Sequence, residues 1–315
     1  MPPAVHRQVL AGRSSKERAE ARLGISLRDS GITEKTRLRY RGALALLLPF
    51  ILGVSATEEL DHIVEEWIEM HWAKGTTLGQ IGDALCGLQF YCPEFKGSLR
   101  GSWRLYKNWR RLEIPCRAPP ISAQIVRAFI NFLIECEEVS GAFIIALAFH
   151  AYLRTGEAVA LLFSDLQVND STGVVTVRGG KSGLRNNMDE AIALYDQGVL
   201  KLARLAKLLP HAQQPRAKVW NKSPSSFRKL FHQCVCRFQL QKLELKPYSL
   251  RRGGATHDYM KKGILEPILL RGRWHSLQVA RLYLEDGLAQ LPSLQLPKLQ
   301  QHRLNLAAAP FNSFF

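Results

Sequence analysis

A chain of 315 residues is long for a single core and points to two domains, while 46% apolar and 22% charged residues exclude wholesale disorder. Lys and Arg number 43 against 27 Asp and Glu, a formal net charge of +16, which favours a polyanionic partner. No apolar run reaches the roughly 18 residues of a membrane-spanning helix, and the basic residues are dispersed rather than gathered on one amphipathic helix, so nucleic acid is preferred to a membrane surface.

In chain order, residues 1–30 are charged and poor in large apolar side chains, and read as a mobile arm or a frayed helix. They hold no apolar signal core, so the expected location is intracellular and DNA-associated (nucleus or nucleoid), not secreted. Thr33 is placed to cap a helix that continues through ALALLLPFIL, which Pro49 should kink or end. Leu60, Ile63, Val64, Trp67 and Ile68 recur at helical spacing in a second helix ending at Gly75. A third helix stops at Pro93, and GSLRGSWRLYKNWRRLEIP gives a fourth. Residues 31–115 thus form an all-helical bundle. Its segment 100–111 carries Arg100, Arg104, Lys107, Arg110 and Arg111, three aromatics and no acid, and is read as a DNA-backbone contact over a plain solvated face.

CRAPPI, residues 116–121, is a Pro-rich break and the best domain boundary. Beyond it, 121–287 form a larger domain opening with two strongly apolar helices. Between about 164 and 194, β-branched runs alternate with turn residues, as in a small antiparallel sheet. Helices return at about 196–208 and 224–243, and 288–315 form a tail interrupted by Pro292 and Pro297. The fold class expected is mostly α with a small antiparallel β-sheet (α+β) in two domains. None of the six cysteines forms a CxxC pair, and Cys234 and Cys236 sit too close for a usual zinc knuckle, so reduced thiols are expected.

Four stretches can carry chemistry. AYLRTGEAVALLFSDL places Arg154 three residues before Glu157, VRGGKSGLRN puts Lys181 in a Gly-rich turn, YSLRRGGATH sets Arg251 three residues after Tyr248, and RGRWHSLQVARLYL holds Trp274 and Tyr283. Arginine forks suit phosphate, since they offer two parallel hydrogen bonds and a permanent charge. A tyrosine hydroxyl, with a free pKa near about 10, needs such cations to attack a phosphodiester and form a phosphotyrosyl bond. A lysine on a hairpin can protonate the leaving 5′ oxygen, and an indole N–H can donate to a phosphate oxygen. The scheme needs neither metal nor cofactor, and the carboxylate clusters of Mg²⁺-dependent nucleases are absent. Tyr259 reads as core.

The order and spacing of these boxes resemble the tyrosine recombinase (phage integrase) family, strongly over about 145–285. The resemblance implies an N-terminal DNA-binding helical domain, a catalytic domain, Arg154 with Glu157 in support, Lys181 as the hairpin lysine, Arg251 in an HxxR box, Trp274 in the His/Trp position and Tyr283, nine residues on, as nucleophile. His275 is the other candidate for the His/Trp position, and Arg252 is read as a DNA contact. The box departs from the family at its first residue, Tyr248 in place of His, which bears on proton transfer near neutrality. The function implied is site-specific DNA recombination or integration on double-stranded DNA, by a homo-oligomer (tetramer) on paired sites. The competing readings are a descendant that grips DNA without cutting it and a type IB topoisomerase-like enzyme. In the resembled family the segment after the nucleophile often docks on a neighbouring protomer, so 288–315 is expected to serve assembly.

Overall fold

The structure is a computed structural model that describes residues 14–23, 31–54, 57–114, 116–179, 188–214 and 216–315. The chain divides into two compact units, Met1–Cys116 and Arg117–Phe315. Residues 1–30 are described only over 14–23. There Ser14 and Glu17 form a reciprocal capping box at the start of helix α1, Ser15–Arg22.

Among the described residues, four further helices build the first unit: α2 (Glu34–Ile51), α3 (Thr57–Ala73), α4 (Leu78–Tyr91) and α5 (Arg100–Leu112). The Thr33 hydroxyl caps α2 by accepting the Thr36 N–H at 3.3 Å. Pro49 lies inside the last turn of α2 and the helix runs two residues past it, since a proline that near the end forfeits little backbone hydrogen bonding. Leu60, Val64, Trp67 and Ile68 of α3 are buried, as their spacing predicts. Leu99, at the start of α5, supplies no capping side chain. Asp61 of α3 does so instead. Its carboxylate accepts the Gly101 and Ser102 N–H groups at 2.8 and 3.0 Å and the Ser102 hydroxyl at 2.6 Å. Those bonds hold the carboxyl below its ordinary pKa although burial opposes them. The cap fixes α5 with Ser102 and Trp109 buried and all five of its basic side chains exposed.

The second unit is built on α6 (Ala123–Glu135) and α7 (Val139–His150), the latter buried from Ser140 to Phe149. A short helix α8 (Thr155–Ala160) leads into a three-stranded antiparallel sheet of β1 (Leu166–Val168), β2 (Gly173–Val177) and β3 (Glu190–Leu194) in that order. Val175 pairs with Leu166 on one side and Ile192 on the other, so one apolar face meets the core. The helix begun at Pro224 ends at Arg237 rather than near 243, because Gln239 turns into left-handed backbone (φ 57°) before a single 3₁₀ turn. The helices Ser249–Lys262 and Glu266–Gly272 follow.

The tail folds back on its own chain. Lys298–Ala308 forms a helix against α6, and Leu296, Leu304, Ala308 and Phe314 are buried. The Phe314 carbonyl accepts from Arg127 Nε and Nη2 at 3.0 and 2.7 Å, and the Phe315 N–H donates to Asp196 at 2.6 Å. Leu288 and Leu294 of the same segment, by contrast, stay exposed.

Candidate active site

At the end of α7, Tyr152 adopts left-handed backbone (φ 47°) and its carbonyl accepts from two arginines, Arg251 through Nη1 and Arg273 through Nη2 at 3.3 Å. Two residues on, Arg154 stands at the start of α8. Its N–H donates to Glu157 Oε2 at 2.8 Å and its Nη1 to Oε1 at 2.6 Å. The Ser249–Lys262 helix approaches this turn closely. A Cβ on Gly254 would overlap the Phe149 carbonyl oxygen, and one on Gly253 the Ile121 carbonyl oxygen, so the paired glycines of RRGGAT are required by packing.

That close approach carries Arg251 into the interior, where it is 0% exposed. Its Nη2 donates to the Gly272 carbonyl at 2.7 Å, while Nε is buried with no partner among the described residues. The Trp274 and Tyr283 rings lie over its guanidinium, with centroids at 5.0 and 5.2 Å, and are 4.5 Å from each other. Tyr248 donates a 2.7 Å hydrogen bond to the Tyr283 hydroxyl from the outer side. Arg154, Glu157, Tyr248, Arg251, Trp274 and Tyr283, read from separate boxes of sequence, are thus gathered in one site.

Burial works against ionising Tyr283, but the Tyr248 hydrogen bond and the charges of Arg251 and Arg154 outweigh it and hold the phenol below its ordinary pKa. Tyr248 moves the other way, pushed up to about 12 by burial and by donating to Tyr283. Burial, then the charges of Arg154 and Arg273, press Arg251 down to about 10, which leaves it cationic at neutral pH. Burial also opposes ionising Glu157, yet Arg273 and Arg154 keep it below the usual carboxylate range.

The remaining candidates fall elsewhere. Lys181 lies outside the described residues. His275 is exposed and its neighbour Trp274 faces the cluster. Arg252, read as a DNA contact, is instead buried. Its Nη2 pairs with Glu285 at 2.6 Å and donates to the Leu282 carbonyl at 2.9 Å, so it braces the segment around Tyr283 from within. Tyr259 packs at the edge of the small core of Tyr152, Ala255, Ile268, Trp274 and Ala280. The sequence reading missed Arg273, which salt-bridges Glu157. It also missed the partly buried set of His150, Tyr152, Asp258 and Arg271 behind Trp274, in which Tyr152 donates to Asp258 and Arg271 to the His150 carbonyl at 3.1 Å. Among the described residues no group of three or more His, Cys, Asp and Glu is arranged to hold a metal ion, and no helix is long and apolar enough to cross a membrane.

No protein-family model and no curated protein matches the chain. Solved structures do. A fragment of the Tn1549 transposon integrase in complex with circular intermediate DNA is 12% identical over 85% of this chain and 95% of its own, with a TM-score of 0.58. The XerH site-specific recombinase bound to its palindromic difH substrate in a post-cleavage complex is 13% identical over 84% and 78%, with a TM-score of 0.55. A lambda integrase fragment, in a dimer bound to a core site, is 15% identical over 83% and 92%, with a TM-score of 0.54. Mostly helical in both units, with one small antiparallel sheet in the second, the chain has the tyrosine recombinase fold.

Proposed function

We propose that the protein is a site-specific DNA recombinase or integrase that cuts and rejoins duplex DNA through a 3′-phosphotyrosyl intermediate. Tyr283 releases its phenolic proton to solvent as its oxygen bonds to phosphorus, the bond to the 5′ oxygen breaks, and Lys181 gives that oxygen its proton; the reverse attack, with both protons returned, rejoins the strand. Arg154 and Arg251 neutralise the charge that develops on the phosphate, with the Trp274 indole N–H, buried beside the Tyr283 hydroxyl, as a further donor. In the free protein the Tyr283 and Trp274 rings cover Arg251, so the substrate phosphate displaces the Tyr283 ring as it docks. Arg100, Arg104, Lys107, Arg110 and Arg111 on α5 contact the DNA backbone. A tetramer on paired sites is the working assembly, in keeping with the lambda integrase tetramer bound to a Holliday junction, whose fold this chain shares at a TM-score of 0.54.

The observation that carries this reading is the Tyr283 hydroxyl itself. It is held among arginines and a second tyrosine that raise its acidity. The test is incubation with nicked, labelled duplexes, scored for protein-linked DNA. The native chain should form an adduct mapping to Tyr283, and Tyr283→Phe should bind DNA and form none. Dependence of product on paired sites separates a recombinase from a topoisomerase-like enzyme. A second reading, DNA binding without cleavage, draws on the Arg251 fork being occupied by two carbonyls and on Tyr248 standing where a proton shuttle is needed. Firm binding with no adduct on any substrate would select it.

A further inference from the structure

Glu157 is shared between two arginines, and the second was invisible in the sequence. Arg273 sits in left-handed backbone (φ 56°), a conformation that is strained for a residue bearing a side chain. Its side chain is only 5% exposed and reaches three elements. Nη2 lies 2.8 Å from Glu157 Oε2 on α8 and 3.3 Å from the Tyr152 carbonyl after α7, and Nη1 lies 3.4 Å from Glu190 Oε2 on β3. Both carboxylates are themselves largely buried. A strained backbone occupied by a large cation persists only where its contacts outweigh the strain, and buried carboxylates need such a partner. The next residue is Trp274, so the same contacts fix where the indole begins.

We infer that Arg273 is a positioning residue: it clamps Glu157 so that the carboxylate presents Arg154 to the phosphate, and it ties the Trp274 loop to strand β3. The inference rests on the proposed function for its cleavage readout and on Glu157 itself for a second readout. Glu157 is faced by Arg154, Arg273 and the charge of Arg251, with Glu190 beyond Arg273. Without Arg273 its pKa rises, so Glu157 takes up a proton at higher pH and its hold on Arg154 is lost sooner on acidification.

Arg273→Gly removes the fork and relieves the left-handed backbone, while Arg273→Lys keeps a charge without the fork. In the full chain, adduct formation should fall by roughly tenfold to a hundredfold in Arg273→Gly, as expected for a displaced catalytic group. Its acid limb should move to higher pH, the melting temperature should fall because Glu157 and Glu190 lose a buried partner, and Arg273→Lys should recover part of the rate. Glu157 titration, followed by ¹³C NMR of glutamate-labelled protein and assigned with Glu157→Gln, should shift upward in Arg273→Gly whether or not DNA is cut. An unmoved Glu157 titration overturns the inference, as does a rate loss that follows the melting temperature with an unchanged pH profile. A native chain that makes no adduct but whose Glu157 titration responds to Arg273→Gly would instead refute the cleavage reading and leave the clamp standing. Should Arg273→Gly fail to fold, Arg273→Lys decides by the same titration.

Discussion

Tyr248 and Tyr283 share one 2.7 Å hydrogen bond, and their acidities are pushed apart by it. Replacing Tyr248 by Phe keeps the ring and deletes the donor. The Tyr283 pKa should therefore rise, and the ascending limb of the adduct-formation profile should move to higher pH, slowing the reaction at neutrality about tenfold for every pH unit the limb moves. A Tyr248→Phe profile that overlays the native one would show that the bond does not tune the Tyr283 hydroxyl. At Arg154 the fork itself is in use, one arm on Glu157, so Arg154→Lys should lose most cleavage while keeping nonspecific binding. Neighbouring arginines illustrate what single-letter reading reaches. Arg251 and Arg252 look alike in sequence and both are buried, one beneath Tyr283 and the other paired with Glu285. Box spacing picks out Arg251, whereas nothing local marks Arg252 as internal or separates Arg273 from any other basic residue in RGRWH, because their carboxylate partners are more than 30 positions away in the chain or beyond a turn. Neutralising Arg252 should accordingly leave the salt dependence of DNA binding unchanged and lower thermal stability, and the melt and the salt titration together check it.

Helix α5 and the Ser249–Lys262 helix each put one face to work. On α5, Arg100, Arg104, Lys107 and Arg111 repeat at three- and four-residue spacing opposite buried Trp109. Replacing Arg104, Arg110 and Arg111 with neutral residues should weaken duplex binding and reduce the slope of log affinity against log salt by about 0.9 for every phosphate no longer neutralised. An unchanged slope would remove α5 from the interface. In the other helix the paired glycines set the depth of the site. Gly254→Ala should destabilise the second unit by about 1–3 kcal/mol or more, because Phe149 backbone stands where the methyl group goes. Gly156→Ala in α8, whose Cβ meets nothing within 4 Å, should be neutral or mildly stabilising, which makes it the control. The helices of the first unit were legible because their apolar spacing and caps are local. The capping of α5 by Asp61, 40 positions away in sequence from Gly101, was not, and neither was the early end of the Pro224–Arg237 helix, which rests on one left-handed glutamine.

At the scale of the whole chain, the second unit is sensitive to acid and to its own tail. Burial, with Arg271 beside it, pushes His150 down to about 3 from its ordinary 6.5. The unfolded chain therefore binds a proton near 6.5 that the folded chain refuses. Stability from this group is complete above that pH and declines as pH falls towards 3, by up to about 1.4 kcal/mol per pH unit. Denaturant melts between pH 6.5 and 5 should show this slope, and His150→Gln should flatten it. Truncation after Leu296 should lower the melting temperature of the second unit even without DNA, since Leu304, Ala308 and Phe314 leave its core. The tail's apolar positions were visible in the sequence, but that Leu304, Ala308 and Phe314 join the core of their own unit depends on packing against α6 and Arg127 that no spacing encodes.

The stacking of Trp274 on Tyr283 also has an optical consequence. Four of the six tryptophans lie in the first unit, and of the two in the second, Trp220 donates its N–H to the Ser223 carbonyl within the core. Trp274 is thus the indole whose emission depends on where Tyr283 and the Arg251 cation stand. The difference in fluorescence between the native chain and Trp274→Phe should change when duplex is added, as the proposed displacement of the Tyr283 ring by a docking phosphate requires.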